Sequence, residues 1–267
     1  MSPISNAFIA REHAGRQERF YPLHARVCEK CFLVQLEAFE PPQTHFGEDY
    51  AYFSSYSQIW LDHARAYTEE MAARLGLGAA SQVIEIASND GYLLQYFKAR
   101  GVPVLGIEPA ANVAQAAQAA GIPTLVEFFG VKLGADLRAR GTQADLLLGN
   151  NVLAHVPDLA DFVGGLKIAL KAGGVITMEF PHLLRLIAEN QFDTIYHEHF
   201  SYFSLSTVEQ VFKRHGLAIF DVEELATHGG SLRIFAAHAE EKGTTAATGL
   251  RRVREAEERA GLRGLGA

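Results

Sequence analysis

The sequence of 267 residues contains only two cysteines, which excludes a disulfide framework. It lacks a basic excess, because its formal net charge is −7, and this argues against a nucleic-acid partner. No apolar run approaches the length of a membrane span, and the N-terminus lacks the basic and then apolar order of a signal peptide. From these absences we expect a protein of a reducing compartment, the cytoplasm, with no membrane partner.

The sequence does contain ample material for a core, because 48% of its residues are hydrophobic and 21% are charged. The two cysteines, Cys28 and Cys31, have the C-x-x-C spacing that is typical of metal or redox chemistry. A structural zinc ion usually has four ligands. The pair alone is therefore too small for a closed zinc site.

Three regions are expected along the chain. Residues 1–78 are rich in aromatics and are predicted to form a small N-terminal region that caps a substrate. Residues 79–238 are predicted to form the main α/β domain. Residues 239–267 are polar and rich in arginine and glutamate, which predicts an exposed helical tail.

The middle region alternates apolar runs with amphipathic stretches of helical length, which predicts a parallel α/β unit. Predicted helices separate the predicted strands, and such spacing implies right-handed crossovers and a doubly wound sheet. Ligands of such sheets bind outside the carboxyl ends of the strands. The predicted strands, some with their exit loops, cover residues 82–87, 103–110, 123–129, 144–156 and 173–181, and the helices 92–101, 112–122, 130–141 and 158–170.

The first predicted strand ends in a turn that contains Glu85, Ala87, Asn89 and Gly91. This turn resembles the acidic-x-Gly-x-Gly-x-Gly turn of class I S-adenosylmethionine-dependent methyltransferases, with two glycines replaced by Ala87 and Asn89. Small residues let a backbone approach a ligand, and asparagine tolerates left-handed angles. An ordinary strand-to-helix turn is the alternative for this motif alone.

Glu108, about 20 residues further on, ends the second predicted strand, where a carboxylate can accept hydrogen bonds from both ribose hydroxyls. A nicotinamide cofactor would also use this residue, but the first turn lacks the early glycines that accommodate a pyrophosphate. Phe128 offers an aromatic surface for an adenine, and Asn150 and Asn151 resemble the segment after the fourth strand of methyltransferases. Together these features favour a methyltransferase over a dehydrogenase.

A dense titratable cluster follows the fifth predicted strand and comprises Tyr196, His197, Glu198, His199 and Tyr202. A metal site is one alternative, but on a strand His-x-His spacing places two rings on one face and Glu198 on the other, without an obvious third ligand. General acid–base chemistry is the better use of the cluster.

Seven motifs occur in an order that resembles one group of enzymes: ERFYPLHARVCEKCFLVQL, DYAYFSSYSQIWLDHA, IEIASNDGYLLQYF, GNNVLAHVPD, EFPHLL, YHEHFSYFS and THGGSLRIF. From residue 2 to about residue 238 the chain is similar to the sugar C-methyltransferases that act on nucleotide-linked 4-keto-deoxyhexoses. The resemblance implies a zinc-binding region with two C-x-x-C pairs, a methyltransferase domain and a further Rossmann-like domain. This chain has one pair and no final domain, so we expect a fragment truncated at both ends. His13 and His24 are candidate additional zinc ligands.

The resemblance also implies roles for individual residues. His199 is the expected base that removes the proton next to the 4-keto group, while Glu198 and Tyr196 assist in deprotonation or in binding the enolate. No catalytic metal is needed. The expected substrate contacts are Tyr52, Tyr56, His155, His197 and Tyr202.

Several of these residues have a purely structural role as an alternative. A structural role is an equal alternative for His197, and a hydrophobic packing stripe is the alternative for Phe53 and Tyr56. The loop around His228 either admits a phosphate or forms a plain hairpin turn. Arg233 either pairs with a diphosphate or lies on a strand edge.

Two other functions are also compatible with the sequence. One is an O- or N-methyltransferase of another small metabolite, and the other is an inactive remnant that still binds S-adenosylmethionine. The expected partner is a small nucleotide-sugar substrate, and the oligomeric state is left open.

Overall fold

The computed structural model describes residues 1–5, 9–47, 50–241 and 248–264. Within these ranges no helix is both long enough and apolar enough to cross a bilayer. The strands are β1 (Arg26–Val27), β2 (Val34–Gln35), β3 (Val83–Ile86), β4 (Val104–Ile107), β5 (Thr124–Leu125), β6 (Ala144–Asn150), β7 (Leu170–Pro181), β8 (Ser201–Tyr202), β9 (Leu217–Leu225) and β10 (Ser231–His238). The helices are α1 (Pro42–His45), α2 (Gln58–Leu75), α3 (Leu94–Ala99), α4 (Ala111–Ala119), α5 (Val131–Ala139), α6 (Leu159–Ala169), α7 (Leu183–Ala188), α8 (Leu205–Arg214) and α9 (Thr248–Arg259).

The central sheet has the strand order β5-β4-β3-β6-β7-β10-β9. Strands β3 to β7 pair in parallel, whereas β10 pairs antiparallel with β7 and β9. The strand order reverses between β3 and β6, and such a reversal opens a crevice at the carboxyl ends of the strands. The doubly wound sheet predicted from the sequence is therefore confirmed.

Consecutive apolar residues of the parallel strands supply both faces of this sheet. Val83 and Leu146 pack in one core, while Ile84 and Leu147 pack in the core on the opposite face. Neighbouring side chains of a strand point to opposite faces, so a continuous apolar run predicts a strand that helices cover on both sides. The predicted strand at 123–129 shrinks to the two residues of β5, which lies at the edge of the sheet.

The N-terminal region attaches to the segment that follows the YHEH motif. Strand β2 lies between β1 and β8 in a small antiparallel sheet, with Val34 opposite Tyr202. Leu36, Leu183 and Tyr202 form a separate buried cluster there. The N-terminal region therefore forms part of the structural support of the candidate catalytic motif.

Helix α9 is not the exposed tail helix expected from its composition. Leu250 and Val253 are buried, and Glu257 is fully buried. The Glu257 carboxylate accepts a hydrogen bond from His182 Nε2 at 2.8 Å and from the backbone N–H of Ser206 at 3.0 Å. The expectation of an exposed helix is wrong because one face packs on the domain. Residues 242–247 and 265–267 of the predicted tail lie outside the described residues.

We expect Glu257→Gln to lower the free energy of unfolding by about 1–3 kcal/mol at pH 7, because it weakens charge-assisted hydrogen bonds in a buried site. Burial raises the pKa of Glu257, but the hydrogen bonds from His182 and the backbone outweigh it and hold this pKa below its ordinary value. A lowered folded pKa contributes stability above the unfolded value, and this contribution disappears as the pH falls through the folded value.

Urea unfolding at pH 7 and at pH 3 measures this effect. The difference in the free energy of unfolding between the original chain and Glu257→Gln should be smaller at pH 3 than at pH 7. Glu258→Gln is a matched control, because Glu258 is the next residue of the same helix and is exposed. A loss of stability that is the same at both pH values would contradict the ionic role of Glu257.

Candidate active site

A cavity of about 340 Å³ lies at the carboxyl ends of the parallel strands, where the strand order reverses. Its volume is in the range of small-molecule sites. Its walls come from the loops after β3, β4, β5 and β6, from the aromatic segment before α2 and from the loop between β9 and β10. The cavity therefore lies where the doubly wound sheet predicts a ligand.

The turn after β3 adopts the backbone that the sequence motif predicts. Ala87, Asn89 and Gly91 have φ angles of 55°, 50° and 80°, all in the left-handed region. A Cβ atom on Gly91 would lie 2.8 Å from Cγ1 of Ile122, so no larger residue fits without a shift. Ala87 and Asn89 line the cavity, whereas Gly91 allows the turn to pack beneath it.

The Asn89 side chain fastens the aromatic segment to this turn. Its Oδ1 accepts a hydrogen bond from Ser54 N at 2.8 Å, and its Nδ2 donates to the Tyr52 carbonyl at 3.1 Å. Ser55 N donates to the carboxylate of Asp90 at 3.2 Å. Asn89 thus shapes the cavity wall as well as lining it.

Glu108 lies at the end of β4 and is buried at the cavity wall. Its carboxylate accepts hydrogen bonds from Asn89 N at 3.0 Å and Ala110 N at 2.8 Å. Burial raises the pKa of Glu108 to about 7, although these two hydrogen bonds oppose the change. The group is therefore close to half ionised at neutral pH.

The residues present fit S-adenosylmethionine, the cofactor that the sequence predicts. Both side-chain amide atoms of Asn150 and Oδ1 of Asn151 are buried without a hydrogen-bond partner among the described residues. Both residues line the cavity, so they are available to a polar ligand such as an amino acid moiety. Phe128 also lines the cavity and is 41% exposed, which leaves its ring open to stacking on a base.

Glu85, which was predicted to bind the cofactor, does not line the cavity. It lies within β3 and is completely buried. Burial raises the pKa of Glu85 well above its ordinary value, while the neighbouring Tyr92 hydroxyl opposes this shift. The side chain therefore lies beneath the first turn, where burial favours its neutral form.

The YHEH motif forms a turn, so the strand geometry assumed for it is wrong. His199 N donates to the Tyr196 carbonyl at 2.9 Å and closes the turn. His199 Nδ1 donates to the Thr194 carbonyl at 2.8 Å. A carbonyl oxygen can only accept, so this bond fixes the tautomer, and His199 Nε2 accepts from the Tyr196 hydroxyl at 2.8 Å.

Burial gives this Tyr196–His199 pair the protonation state of a base. It lowers the pKa of His199 to about 4, so the ring is neutral at pH 7. Burial also raises the pKa of Tyr196, and the nearby Glu198 adds to this effect. The pair therefore carries its shared proton on the phenol and leaves an imidazole that can accept one.

His155 connects the Tyr196–His199 pair to the cavity. Its ring lies 4.7 Å from the His199 ring and 5.8 Å from the Phe46 ring. His155 and Phe46 both line the cavity, but Tyr196, Glu198 and His199 are not among its lining residues. The pair therefore lies behind His155.

The remaining predicted substrate contacts divide into two groups. Tyr52 lines the cavity, whereas Tyr56 is 83% exposed and stacks on Phe53 at 5.3 Å. Tyr202 is buried and its hydroxyl donates to the Thr194 carbonyl at 3.4 Å. The position of Tyr52 agrees with substrate contact, and the position of Tyr202 indicates a supporting role.

His197 and Glu198 point into different surroundings from His199. His197 Nε2 donates to the Pro22 carbonyl at 3.1 Å, and its ring lies 6.0 Å from Tyr21. This placement favours the structural alternative for His197. Glu198 is buried and accepts a hydrogen bond from Ser5 Oγ at 3.2 Å.

Cys28 and Cys31 lie close together in a turn next to β1. Hydrogen bonds from the backbone at Cys31 and Lys30 lower the pKa of Cys28, which favours the thiolate that binds metals. Among the described residues no group of three or more histidine, cysteine, aspartate or glutamate residues could hold a metal ion. Neither His13 nor His24 therefore joins the two cysteines, and the Cys28–Cys31 pair alone has fewer than the four ligands that a structural zinc ion usually has.

Arg233 is neither on a strand edge nor available to a diphosphate. It is buried on β10, where its guanidinium bonds Glu179 at 2.7 Å and Glu223 at 2.9 Å. Its charge also lies 4.7 Å from the centre of the Tyr67 ring. Both suggestions made from the sequence are wrong, because the residue neutralises a buried carboxylate.

Among the cavity-lining residues that the sequence did not single out are Tyr50, Trp60 and Tyr92, while the loop of His228 was considered only for a phosphate or a plain turn. Burial raises the pKa of Tyr50, and the charges of Glu198 and Glu108 add to the shift. Tyr50 is therefore near enough to both Glu198 and Glu108 to feel their charges. The aromatic run that contains Tyr50 gave a signal, but nothing in that run separates Tyr50 from Tyr52 or Tyr56.

Two family models match the chain. The model described as "Methyltransferase domain" matches residues 59–222, which include β3 to β8 and the first part of β9. The model described as "Putative zinc binding domain" matches residues 1–46, which include Cys28 and Cys31.

A curated relative matches both regions together. The C-methyltransferase NovU of Streptomyces niveus is 35% identical over 238 residues, which cover 89% of this chain. The same alignment covers 56% of NovU, so this chain spans little more than half the length of the relative.

Solved methyltransferases share the fold at low sequence identity. Magnesium protoporphyrin IX methyltransferase (ChlM) from Synechocystis PCC 6803, solved with bound SAH, matches with a TM-score of 0.53 and 14% identity over 68% of this chain and 88% of ChlM. The CcbJ methyltransferase from Streptomyces caelestis matches with a TM-score of 0.52 and 12% identity over 66% of this chain and 89% of CcbJ. These likenesses show the class I methyltransferase fold.

Proposed function

We propose that this chain, which belongs to the S-adenosylmethionine-dependent methyltransferase family, methylates a carbon atom next to the ketone of a nucleotide-linked 4-keto-deoxysugar. The observation that carries the proposal is the neutral His199, hydrogen-bonded to Tyr196 directly behind a cavity suited to the cofactor and a small acceptor. Methyl transfer to oxygen or nitrogen does not require the removal of a C–H proton, whereas carbon methylation does. The 35% identity to a protein named as a C-methyltransferase supports the same choice.

In this proposal His199 accepts the proton from the carbon next to the ketone. The C–H electron pair moves towards the carbonyl and gives an enolate, and the proton moves through the Tyr196 hydroxyl, which already bonds Nε2, to the imidazole. This step requires the acceptor to reach past His155, which lies between the pair and the cavity. The Nδ1 bond to the Thr194 carbonyl keeps the ring in the tautomer that can accept. A negative enolate beside the ring favours the imidazolium, which offsets the low pKa that burial imposes.

Groups on the cavity wall stabilise the enolate oxygen. Tyr50, His155 and Asn151 all line the cavity, and each carries a group that can donate a hydrogen bond. Preorganised donors in a partly dry site contribute strongly to the stabilisation of such an anion. When bound, S-adenosylmethionine would supply the electrophilic methyl group: the C–C bond to the enolate carbon would form as the methyl–sulfur bond breaks, and S-adenosylhomocysteine would leave with that electron pair.

The direct test incubates the chain with methyl-labelled S-adenosylmethionine and a thymidine-diphosphate 4-keto-deoxyhexose. We expect the label on a ring carbon next to the ketone in the NMR spectrum of the product. Deuterium from the solvent should also enter that carbon when S-adenosylhomocysteine replaces the methyl donor. A label found on oxygen or nitrogen, with no deuterium uptake at carbon, would contradict the proposal.

A pH dependence of cofactor affinity tests the proposed role of Glu108. Ribose hydroxyls donate hydrogen bonds, so they bind the ionised carboxylate more tightly than the protonated one. With a pKa of about 7, Glu108 loses this charge as the pH falls, and the affinity for S-adenosylhomocysteine should fall with it.

Calorimetry at pH 6 and pH 8 measures this dependence. Glu108→Gln should bind S-adenosylhomocysteine more weakly than the original chain at pH 8. Its affinity should not change comparably between pH 6 and pH 8. Glu127→Gln is a suitable control, because Glu127 is a second glutamate that lines the cavity. A pH dependence that persists in Glu108→Gln would assign the titration to another group.

A further inference from the structure

The loop between β9 and β10 contains three consecutive residues with left-handed backbone angles. The φ angles are 51° for His228, 74° for Gly229 and 111° for Gly230. Glycine adopts such angles freely, but a residue with a Cβ atom does so at an energetic cost. Strain of this kind persists where the surroundings fix the conformation, and it is concentrated at functional sites. A third glycine would adopt this backbone without strain. The presence of a histidine at position 228 therefore indicates a role for its side chain.

Hydrogen bonds hold this loop in place from three sides. Gly230 N donates to the Thr227 carbonyl at 2.9 Å and closes the turn. Gln191 Nε2 donates to the Gly229 carbonyl at 2.7 Å, and His182 N donates to the Gly230 carbonyl at 3.0 Å. The loop thus presents the His228 ring in a fixed position, which lowers the entropic cost of binding a ligand with it.

The His228 ring contacts an aromatic stack. Its centre lies 5.1 Å from that of Trp60, with the two planes at 80°. Trp60 stacks on His63 at 5.0 Å and on Tyr92 at 5.9 Å. His63 Nε2 in turn donates to the buried carboxylate of Glu179 at 2.8 Å. The surface beneath His228 is therefore anchored in the interior of the domain.

The ring itself is available to a ligand. His228 lines the cavity and remains open to solvent, whereas Trp60 beneath it is buried. Partial burial lowers the pKa of His228, so the ring is neutral at pH 7 and can donate one hydrogen bond and accept another.

The strand order places His228 away from the predicted ribose site. Glu108 ends β4, whereas His228 precedes β10, and strands β3, β6 and β7 separate these two strands in the sheet. The ends of β3, β4 and β6 carry the residues that fit the cofactor. His228 therefore reaches the cavity from the half of the sheet that contains β7 and β10, whereas Glu108 reaches it from the half that contains β3 and β4.

We propose that His228 binds the acceptor substrate, through a hydrogen bond from its imidazole to an oxygen of the acceptor, and so positions the reacting carbon. This inference rests on the proposed function for the identity of the acceptor. The nucleotide-linked keto-sugar is rich in hydroxyl and carbonyl oxygens that can use such a bond.

The fluorescence of Trp60, the only tryptophan of the sequence, provides a readout that does not depend on turnover. Binding of each ligand is followed by Trp60 emission, first S-adenosylhomocysteine and then a thymidine-diphosphate 4-keto-deoxyhexose at saturating S-adenosylhomocysteine. His228→Gly removes the ring and also relieves the left-handed strain. We expect about tenfold weaker binding of the keto-sugar, the loss of roughly one hydrogen bond, with the Kd of S-adenosylhomocysteine unchanged within about twofold.

Two further measurements separate binding from structure. His228→Gly should retain or raise Tm, because glycine adopts this backbone without strain. His228→Gln keeps a donor and an acceptor, and should recover part of the keto-sugar affinity. A merely structural role would lower Tm and weaken both ligands together, and this result would overturn the proposal.

The remaining outcomes are equally distinct. Equal keto-sugar affinity in the unsubstituted chain and in His228→Gly would refute the role of His228 and leave the proposed function intact. Tenfold weaker binding of S-adenosylhomocysteine would assign His228 to the cofactor and refute the acceptor role. An unsubstituted chain that binds the keto-sugar without methylating it would refute the proposed function alone, and one that does not bind it would refute both.

Discussion

His199→Gln is expected to lower the rate of methyl transfer by about 10²- to 10⁴-fold, the usual contribution of a positioned acid or base. Glutamine preserves much of the volume and polarity of the ring but cannot accept a proton at pH 7. His199 does not line the cavity, so the affinity for S-adenosylhomocysteine should stay within about twofold of the original. Initial rates with labelled S-adenosylmethionine and calorimetry with S-adenosylhomocysteine measure the two quantities separately.

The YHEH motif supplies its own control. His197 lies two residues earlier and bonds the Pro22 carbonyl on the other side of the turn. His197→Gln should therefore retain a rate within a few-fold of the original and retain deuterium uptake at the substrate carbon. If His197→Gln lost as much activity as His199→Gln, the assignment of the base to one ring would be wrong.

Arg233→Ala is expected to lower the free energy of unfolding by about 3–5 kcal/mol, because it removes one partner of a buried ion pair. Arg233 and Glu179 are 3% and 2% exposed, and their bonds are 2.7 Å long. Alanine would leave the Glu179 carboxylate with the hydrogen bond from His63 Nε2, at 2.8 Å, as its remaining side-chain contact of this kind among the described residues. Urea unfolding at pH 7 measures the loss.

Arg74→Ala is the matched control for Arg233→Ala. Arg74 also bonds Glu223, at 3.1 Å, but its side chain is 33% exposed and water can replace it. We expect this substitution to cost no more than about 1 kcal/mol, as for other ion pairs near the surface. Equal losses for the two variants would mean that Glu179 does not need the neutralising charge of Arg233.

The sheet could be predicted because the signals for it are local. Apolar runs such as Val83–Ile86 form strands that are buried on both faces. Several of the predicted helices end at glycines with left-handed backbone angles, as expected. The predicted cofactor residues also converge, because the carboxyl ends of parallel strands share one edge. Ala87, Asn89, Glu108 and Asn150 therefore line a single cavity although they come from three different strands.

The local structure of the YHEH motif could not be predicted from the sequence. A strand was assumed for residues 197–199, and a period of two would place both histidines on one face. The chain instead turns at Tyr196, so His197 contacts the N-terminal region while His199 contacts His155. The spacing of residues does not reveal a turn whose hydrogen bonds come from segments far away in the sequence.

Arg233 and Glu257 illustrate a second limit. Glu257 lies in a sequence rich in charged residues and Arg233 is the charged residue of the strand SLRIFAAH, and yet both are buried. A charged residue can be buried where it finds a partner, and the partners here are distant: Glu179 for Arg233, and His182 for Glu257. Composition predicts average exposure, so it cannot identify the individual charges that a fold encloses.

Helix α9 affects how the domain unfolds. Its buried Glu257 accepts hydrogen bonds from the first backbone N–H groups of α8 and from His182 at the end of β7. Opening of α9 would expose these donors and the apolar surface beneath Leu250, so it should be coupled to loosening of α8 and of the β7 end. In hydrogen exchange, the amides of α9 should therefore be protected together with those of α8, as one cooperative unit. Limited proteolysis should spare the helix until that unit opens.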